Sequence, residues 1–450
     1  MRGIGRLRNA IAGMEGLFAS LGLANVALGT SSILIPLMIV HGLGGSVAQV
    51  GLQSSAASLM GVLGSVVWGH LADTALRRKA LLVLSVLVLG LAYVGMAFAR
   101  SFPVLLASAA IQSFFWAATG SVSVLLVLHR GEKHAWEQKI GRLNQVTALG
   151  WLCGLVLGSA ALSAAARFTT ETVATRGLFF LLAGIGAGAT VLAIRLIPRQ
   201  AASPERIPLP ITPPAGPDGV PPHSAPQVAR RLVERLPALL SAKDARDRAL
   251  RLLLAQTFLA WMGVGFFAVP LPILLAERFA IPSAHVFLYY VLLDVGVIAA
   301  YPLASRWSAK AGNTAVQTVG LLSRLALCLA GAAFLLLSAS APPWIALALY
   351  FLVIGVSYSF LQLSGVSLAS RLAPEESRGR ILGLFNAVIG AGMIVAGVGS
   401  GYLAQGLGYA APFAAAAFLL LLALFALRTM RDPAPSAGEP VGHPAREAAE

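Results

Sequence analysis

The 450-residue chain is short of charge. Only 11% of its residues are Asp, Glu, Lys or Arg, against 57% hydrophobic ones. A soluble globular chain carries roughly 25% charged residues. No soluble core of this length needs so much Leu, Ala, Val and Gly, and the mean hydropathy of +0.80 points to an apolar solvent. Lipid supplies one. Cysteine is nearly absent. Cys153 and Cys328 both fall in apolar runs, so they read as packing residues rather than a disulfide. The seven histidines show no metal-ligand spacing. Enzyme signatures are missing too. There is no Gly-x-x-x-x-Gly-Lys-Ser/Thr phosphate loop, no Gly-x-Ser-x-Gly elbow and no His-Glu-x-x-His pair. The sequence therefore gives no support to ATP-driven transport, catalysis, a cofactor or a resident metal.

Acidic residues are scarce as well, 18 against 33 basic, and the pI is near 10.7. Nucleic-acid binding is not the reading, because the basic residues form no single patch. They lie in short loops between long apolar runs, as topology signals do.

What is present is a series of such runs. A spanning helix needs roughly 20 apolar residues. Twelve segments qualify: 15–40, 46–71, 80–99, 103–128, 143–166, 177–197, 249–276, 283–305, 314–338, 342–370, 380–405 and 409–428. The runs do not alternate in the manner of β-barrel strands. The first is too long to be a cleaved signal. With the N-terminus inside, only Arg100, Arg167, Arg176 and Arg278 fall in outside loops. Arg324 lies within a span, and every other Lys and Arg is on the inner side. This bias predicts both termini in the cytoplasm and an even number of spans.

Residues 198–226 hold ten prolines, so they cannot form a helix or a buried strand. They read as an extended tether. Gln227–Leu250 then reads either as an amphipathic helix on the inner leaflet or as a solvated connector. The organisation predicted is an N-terminal six-helix bundle (1–197), a Pro-rich basic linker (198–248), a second bundle (249–431) and a disordered tail (432–450). The halves repeat weakly. Residues 140–162 align with 382–404, pairing Gly141 with Gly383, Asn144 with Asn386 and Gly150 with Gly392. Repeated bundles around a midplane site are a common transporter plan.

The loop after the second run reads Gly69-His-Leu-Ala-Asp73-Thr-Ala-Leu-Arg77-Arg78-Lys79. Here the sequence resembles the major facilitator superfamily, whose signature in this loop is Gly-x-Leu-Ala-Asp followed by Arg-x-Gly-Arg-Lys. Thr74 and Leu76 depart from that pattern. The resemblance implies an all-α polytopic membrane protein of twelve transmembrane helices in two pseudo-symmetric six-helix bundles. It implies alternating access by a secondary transporter with a small-molecule substrate. In the family the Asp faces helix eleven across the bundle interface, so Gly69, Asp73, Arg77 and Arg78 are expected to form a conformational latch. A carboxylate there can accept from the N–H groups of a neighbouring helix end. A plain topology-setting loop is the alternative.

Ionisable groups deep in a bilayer are functional candidates by default. Asp294 and Arg324 are the two here. They read as a buried ion pair, or as a coupling site in which Asp294 carries a proton; a substrate carboxylate on Arg324 is a third option. The coupling ion would be H⁺ or Na⁺. The resemblance implies that helices one, four, seven and ten line the cavity. The polar and aromatic candidates there are Asn25, Thr30, Ser31, Gln112, Trp116, Thr119, Gln256, Trp261, Tyr358 and Gln362. Each can equally bond between helices. As a set they predict an apolar, uncharged cavity with aromatic walls, suited to an amphipathic compound. The expectation is a monomeric exporter in the cytoplasmic membrane. Import of a sugar or other nutrient is the alternative. A non-transporting receptor or assembly protein on the same scaffold is another.

Overall fold

The computed structural model describes residues 2–74, 78–128, 136–197, 245–337, 342–373 and 378–430. Most of the expected linker and the whole tail lie outside these residues. No strand occurs among the described residues, and twelve helices are long and apolar enough to cross a membrane. They are α1 (Arg2–Leu37), α2 (Val47–Thr74), α3 (Arg78–Ala97), α4 (Phe102–Leu128), α5 (Trp136–Ala165) and α6 (Glu171–Leu196) in the first half. The second half has α7 (Ala245–Ala268), α8 (Ser283–Ala311), α9 (Asn313–Leu337), α10 (Trp344–Leu372), α11 (Arg378–Leu407) and α12 (Ala410–Thr429). The twelve predicted spans all form. Proline marks where some begin: Pro282 and Pro343 cap α8 and α10 with extended backbone before the first helical turn, a position where a missing N–H costs nothing.

The pairing of helices repeats between the halves. In the first, α1 packs on α5 and α6, α2 on α4, and α3 on α4 and α6. In the second, α7 packs on α11 and α12, α8 on α10, and α9 on α10 and α12. Each pair in one half has its counterpart six helices on. The halves meet through α2 with α11 and α5 with α8, again an exchange of equivalents.

Lipid offers no hydrophobic drive for helices to associate, so close packing over small residues does this work. The glycines of α5 show how. A side chain on Gly150 would collide with the Gly22 carbonyl of α1, and one on Gly154 with the Val26 carbonyl. Thr30 then bonds across the same seam, its hydroxyl donating to the Gly154 carbonyl at 2.6 Å. In the second half, Gly392 of α11 lies against Phe258 and Met262 of α7. The aligned glycines thus occupy equivalent seams.

The first helix of each half ends in the same irregular way. Pro36 falls near the end of α1, and a wide π turn follows over Met38–Gly42. After α7, Pro270 and Pro272 lead through a short turn at Leu271–Ile273 into a second π turn, Leu274–Arg278. α1 packs against the short turn Leu271–Ile273 of the second half.

Candidate functional site

The bundles touch along two seams. Near the start of α2, Gly51 faces Gly397 and Gly401 of α11, with room for no side chain between them. One turn on, the Ser55 hydroxyl donates to the Ile394 carbonyl at 2.6 Å and accepts from the Val398 N–H at 2.8 Å. On the other seam, Gly158 of α5 lies against the Phe287 ring of α8. Glu171, at the start of α6, accepts a hydrogen bond from Ser283, the first residue of α8. The same carboxylate oxygen lies 3.1 Å from Nδ1 of His41 in the π turn after α1. These contacts all sit at the end carrying the α1–α2, α5–α6 and α7–α8 connections.

Toward the opposite end α2 and α11 stay in contact at least as far as Val62, which a side chain on Gly390 would strike. Gly61 and Gly69 of α2, Gly141 of α5 and Gly383 of α11 each have open space where a side chain would begin. A cavity of about 400 Å³ lies among α1, α2 and α4, lined by Leu28, Ala57, Ser58, Gly61, Gln112, Ser113, Trp116 and Ala117. Its walls are mostly apolar, with three short polar contributors. Gln112 and Trp116 line it as expected.

Other expected cavity residues are engaged elsewhere. Asn25 is buried and donates to the Leu21 carbonyl of its own helix at 2.8 Å. Thr30 is the α1–α5 bond already described. Thr119 donates to the Trp116 carbonyl one turn back. Ser31 joins Gln112 and Tyr93 of α3 in a buried triangle with sides of 3.1–3.3 Å. Gln256 is fully buried and accepts from Gln317 of α9; its own amide nitrogen has no partner. Trp261 of α7 and Tyr358 of α10 meet edge to face at 5.6 Å. Gln362 holds a carbonyl oxygen that is buried and unpartnered.

Asp294 and Arg324 do not pair. No ion pair joins them, and each has separate company. Arg324 is 1% exposed. Its guanidinium lies over the Phe267 ring at 5.0 Å and donates through one terminal nitrogen to the Ile354 carbonyl at 3.0 Å. In this conformation its side chain presents almost no surface to a solute. Asp294 is half-buried on α8, with the Trp151 indole of α5 within electrostatic reach across the bundle junction. Its Oδ2 has no partner. The expected pairing rested on α8 and α9 being neighbours because they are consecutive. They share little surface. Instead α10 packs heavily on both, and its Tyr358 lies within electrostatic reach of Asp294 and Arg324 alike.

The latch residues are only partly visible. Gly69 is open, and Arg78 donates from Nε to the Ala72 carbonyl at 3.0 Å, closing the end of α2. Arg77 and the Asp73 side chain lie outside the described residues. Sequence reasoning missed Tyr93, Trp151, Glu171 and Ser283. One signal was available for Trp151, a bulky indole one residue after Gly150 in the glycine run.

Two six-helix bundles related by an internal repeat, joined through α2–α11 and α5–α8, with polar groups buried among the helices, define a membrane transporter scaffold. The Major Facilitator Superfamily profile matches residues 17–337 and again 253–449, and the chain belongs to that superfamily. Solved structures of similar fold include a mutant of the nucleoside transporter NupG, at 14% identity and a TM-score of 0.70 over 93% of this chain and 99% of that one. A POT family transporter in complex with a thioalcohol-conjugated peptide gives 16% and 0.69 over 92% and 94%. A bacterial homologue of the human lysosomal transporter Spinster, inward-facing and unoccupied, gives 15% and 0.66 over 94% and 98%. At these identities the likeness is one of fold. No curated protein matches the sequence.

Proposed function

We propose that this chain exports a small amphipathic organic molecule across the cytoplasmic membrane by alternating access, acting as a monomer. The observation that carries the reading is the repeat itself: twelve spans in two bundles that meet through equivalent helices, α2 with α11 and α5 with α8. Closure at Gly51–Gly397 and Glu171–Ser283 is read as one state of a two-state device. Twelve spans leave both termini on one side, and the basic loops support the cytoplasm for that side. The contacts at Gly51 and Glu171 lie at the end away from those loops, so the conformation is read as inward-facing.

The walls support the substrate class. A polyhydroxyl solute needs free amides and hydroxyls, because polar groups it leaves unpaired cost affinity. Here Asn25 and Thr30 are spent within the protein, and Ser31 and Gln112 bond to each other and to Tyr93. Leu28, Ala57, Trp116 and Ala117 offer apolar contact instead. Uphill export needs a coupling ion. The carboxylate of Asp294 at the bundle junction is the group assigned to carry it, as H⁺.

Proteoliposomes under imposed pH or sodium gradients test the reading. Gradient-driven movement of a fluorescent amphipath out of the cytoplasmic-side compartment supports it. Sugar accumulation in the other direction would replace it with import. Movement of no solute class would favour a non-transporting role.

A further inference from the structure

Ser31, Tyr93 and Gln112 fix the direction of one another's protons. The Ser31 hydroxyl donates to the Leu28 carbonyl at 3.0 Å, so towards its other neighbours it can only accept. Tyr93, 3.1 Å away, is then the donor of that contact. Neither oxygen has a proton left for Gln112. The Gln112 amide nitrogen supplies what both need, donating to Ser31 at 3.3 Å and to Tyr93 at 3.2 Å. Turned end for end, the amide would leave one proton for the three contacts of the triangle. Ser31 and Tyr93 are 1% and 0% exposed, and polar groups left unpaired in such a place cost free energy. The Gln112 carbonyl oxygen, Oε1, therefore points out of the triangle. Among the described residues no group donates to it, and it is not one of the sealed polar atoms. Gln112 lines the cavity among α1, α2 and α4, and no charged side chain lines it with Gln112. Ser58 and Ser113, the cavity's other polar residues, carry hydroxyls that rotate to give or to take. The one fixed polarity is that of the Gln112 carbonyl. Trp116, four residues on, shares its face of α4.

We propose that Gln112 selects the substrate: the cavity takes a neutral, flat amphipath that presents one N–H or O–H to the Gln112 carbonyl and lays its apolar body against Trp116. Ser31 and Tyr93 are positioning residues, since they hold the amide in its accepting orientation. An ether or ketone brings only lone pairs to that oxygen, and a carboxylate brings lone pairs and a charge. Both leave the site's polar atom unpaired and are disfavoured. This rests on the transport reading above and narrows it to uncharged amphipaths that carry a hydrogen-bond donor.

The probes are β-naphthol, its methyl ether and β-naphthoate, which share one ring system and differ in the polar end. Binding to the full-length protein in lipid nanodiscs is read by energy transfer from tryptophan to the naphthyl ring, with empty nanodiscs subtracted. Wild type should hold naphthol about threefold to tenfold more tightly than the ether, the scale of one neutral hydrogen bond, and naphthoate least of all. Gln112→Leu should bring naphthol down to the level of the ether. Ser31→Ala frees the Tyr93 proton for the amide oxygen, so the preference for naphthol should shrink while both probes still bind. Gly61→Leu locates the site without touching the triangle. A Cβ added there meets nothing within 4 Å, and the rest of the side chain fills the cavity, so naphthol and ether should both be lost. Equal affinity of wild type for naphthol and ether, an undiminished preference in Ser31→Ala, or full naphthol binding by Gly61→Leu overturns the proposal. Binding without movement in proteoliposomes sinks the transport reading and leaves this one. Export at the wild-type rate by both Gln112→Leu and Gly61→Leu does the reverse.

Discussion

Gly51 of α2 and Gly397 of α11 lie backbone to backbone. A side chain on Gly51 would run into the Gly397 carbonyl and come within 3.0 Å of the Gly401 Cα. The first prediction follows from this crowding. Gly51→Leu should oppose closure at that end while leaving each bundle folded. Overpacking of this kind costs about 1–3 kcal/mol, enough to shift a two-state population roughly 5- to 150-fold. Transport should fall at least about fivefold on that scale. Spin labels on the touching ends of α2 and α11 should report a longer separation. An unchanged separation would mean that the seam yields without cost.

The second seam has a polar fastener. Glu171 accepts from Ser283 across the bundles and also holds His41. Ser283→Ala and Glu171→Gln should both loosen the closed end. A hydrogen bond to a charged group contributes about 1.5–3 kcal/mol when shielded, and less here because the carboxylate is 48% exposed. The separation between labels on α6 and α8 should increase in each variant, with Glu171→Gln the larger because it also loses His41. Identical distance distributions in both variants and wild type would remove the fastener from the account.

Arg324 gives a prediction on stability. It is fully enclosed, with one nitrogen bonded to Ile354, and its Nε has no partner. Replacing a buried ion with an apolar residue of similar volume is often neutral or stabilising. Arg324→Met should keep its thermal midpoint at or above wild type. Arg324→Ala should lose about 2–5 kcal/mol, the range for truncating a large core side chain. The Ile354 carbonyl keeps a donor in both, because the Ser357 hydroxyl already bonds to it at 2.8 Å. A Met variant that fails to fold would show that the charge itself is required.

The proposed cytoplasmic latch is tested apart from these contacts. Asp73→Asn should slow transport several-fold and leave membrane insertion intact. Both are read from the same vesicles, by flux and by protein yield per lipid. Wild-type flux would reduce Gly69, Asp73, Arg77 and Arg78 to a topology signal.

Architecture was the readable part of the sequence. Run length sets the spans, and the aligned glycines at Gly150 and Gly392 mark equivalent seams. Lipid enforces these features locally, so a linear pattern carries them. The site was much less readable. Asn25 and Thr30 were reasonable cavity candidates on α1, yet both bond to backbone. Which way a side chain leaves a helix relative to its neighbours depends on packing that hydropathy does not encode. The Asp294–Arg324 pairing failed for a related reason. Chain order places α9 after α8, while the fold inserts α10 between them. Trp151 had a signal in the indole beside Gly150, but its nearness to α8 shows only once α5 and α8 are brought together.

The π turns at Met38–Gly42 and Leu274–Arg278 have a mechanical consequence. A π turn leaves the α-helical hydrogen-bond ladder out of step and yields to bending more readily than the regular helix before it. These turns follow the first helices of the two halves. Each bundle therefore presents a compliant tip on a stiff shaft. Each tip lies apart from the stiff glycine seams of α1–α5 and α7–α11, so bending there leaves those seams intact.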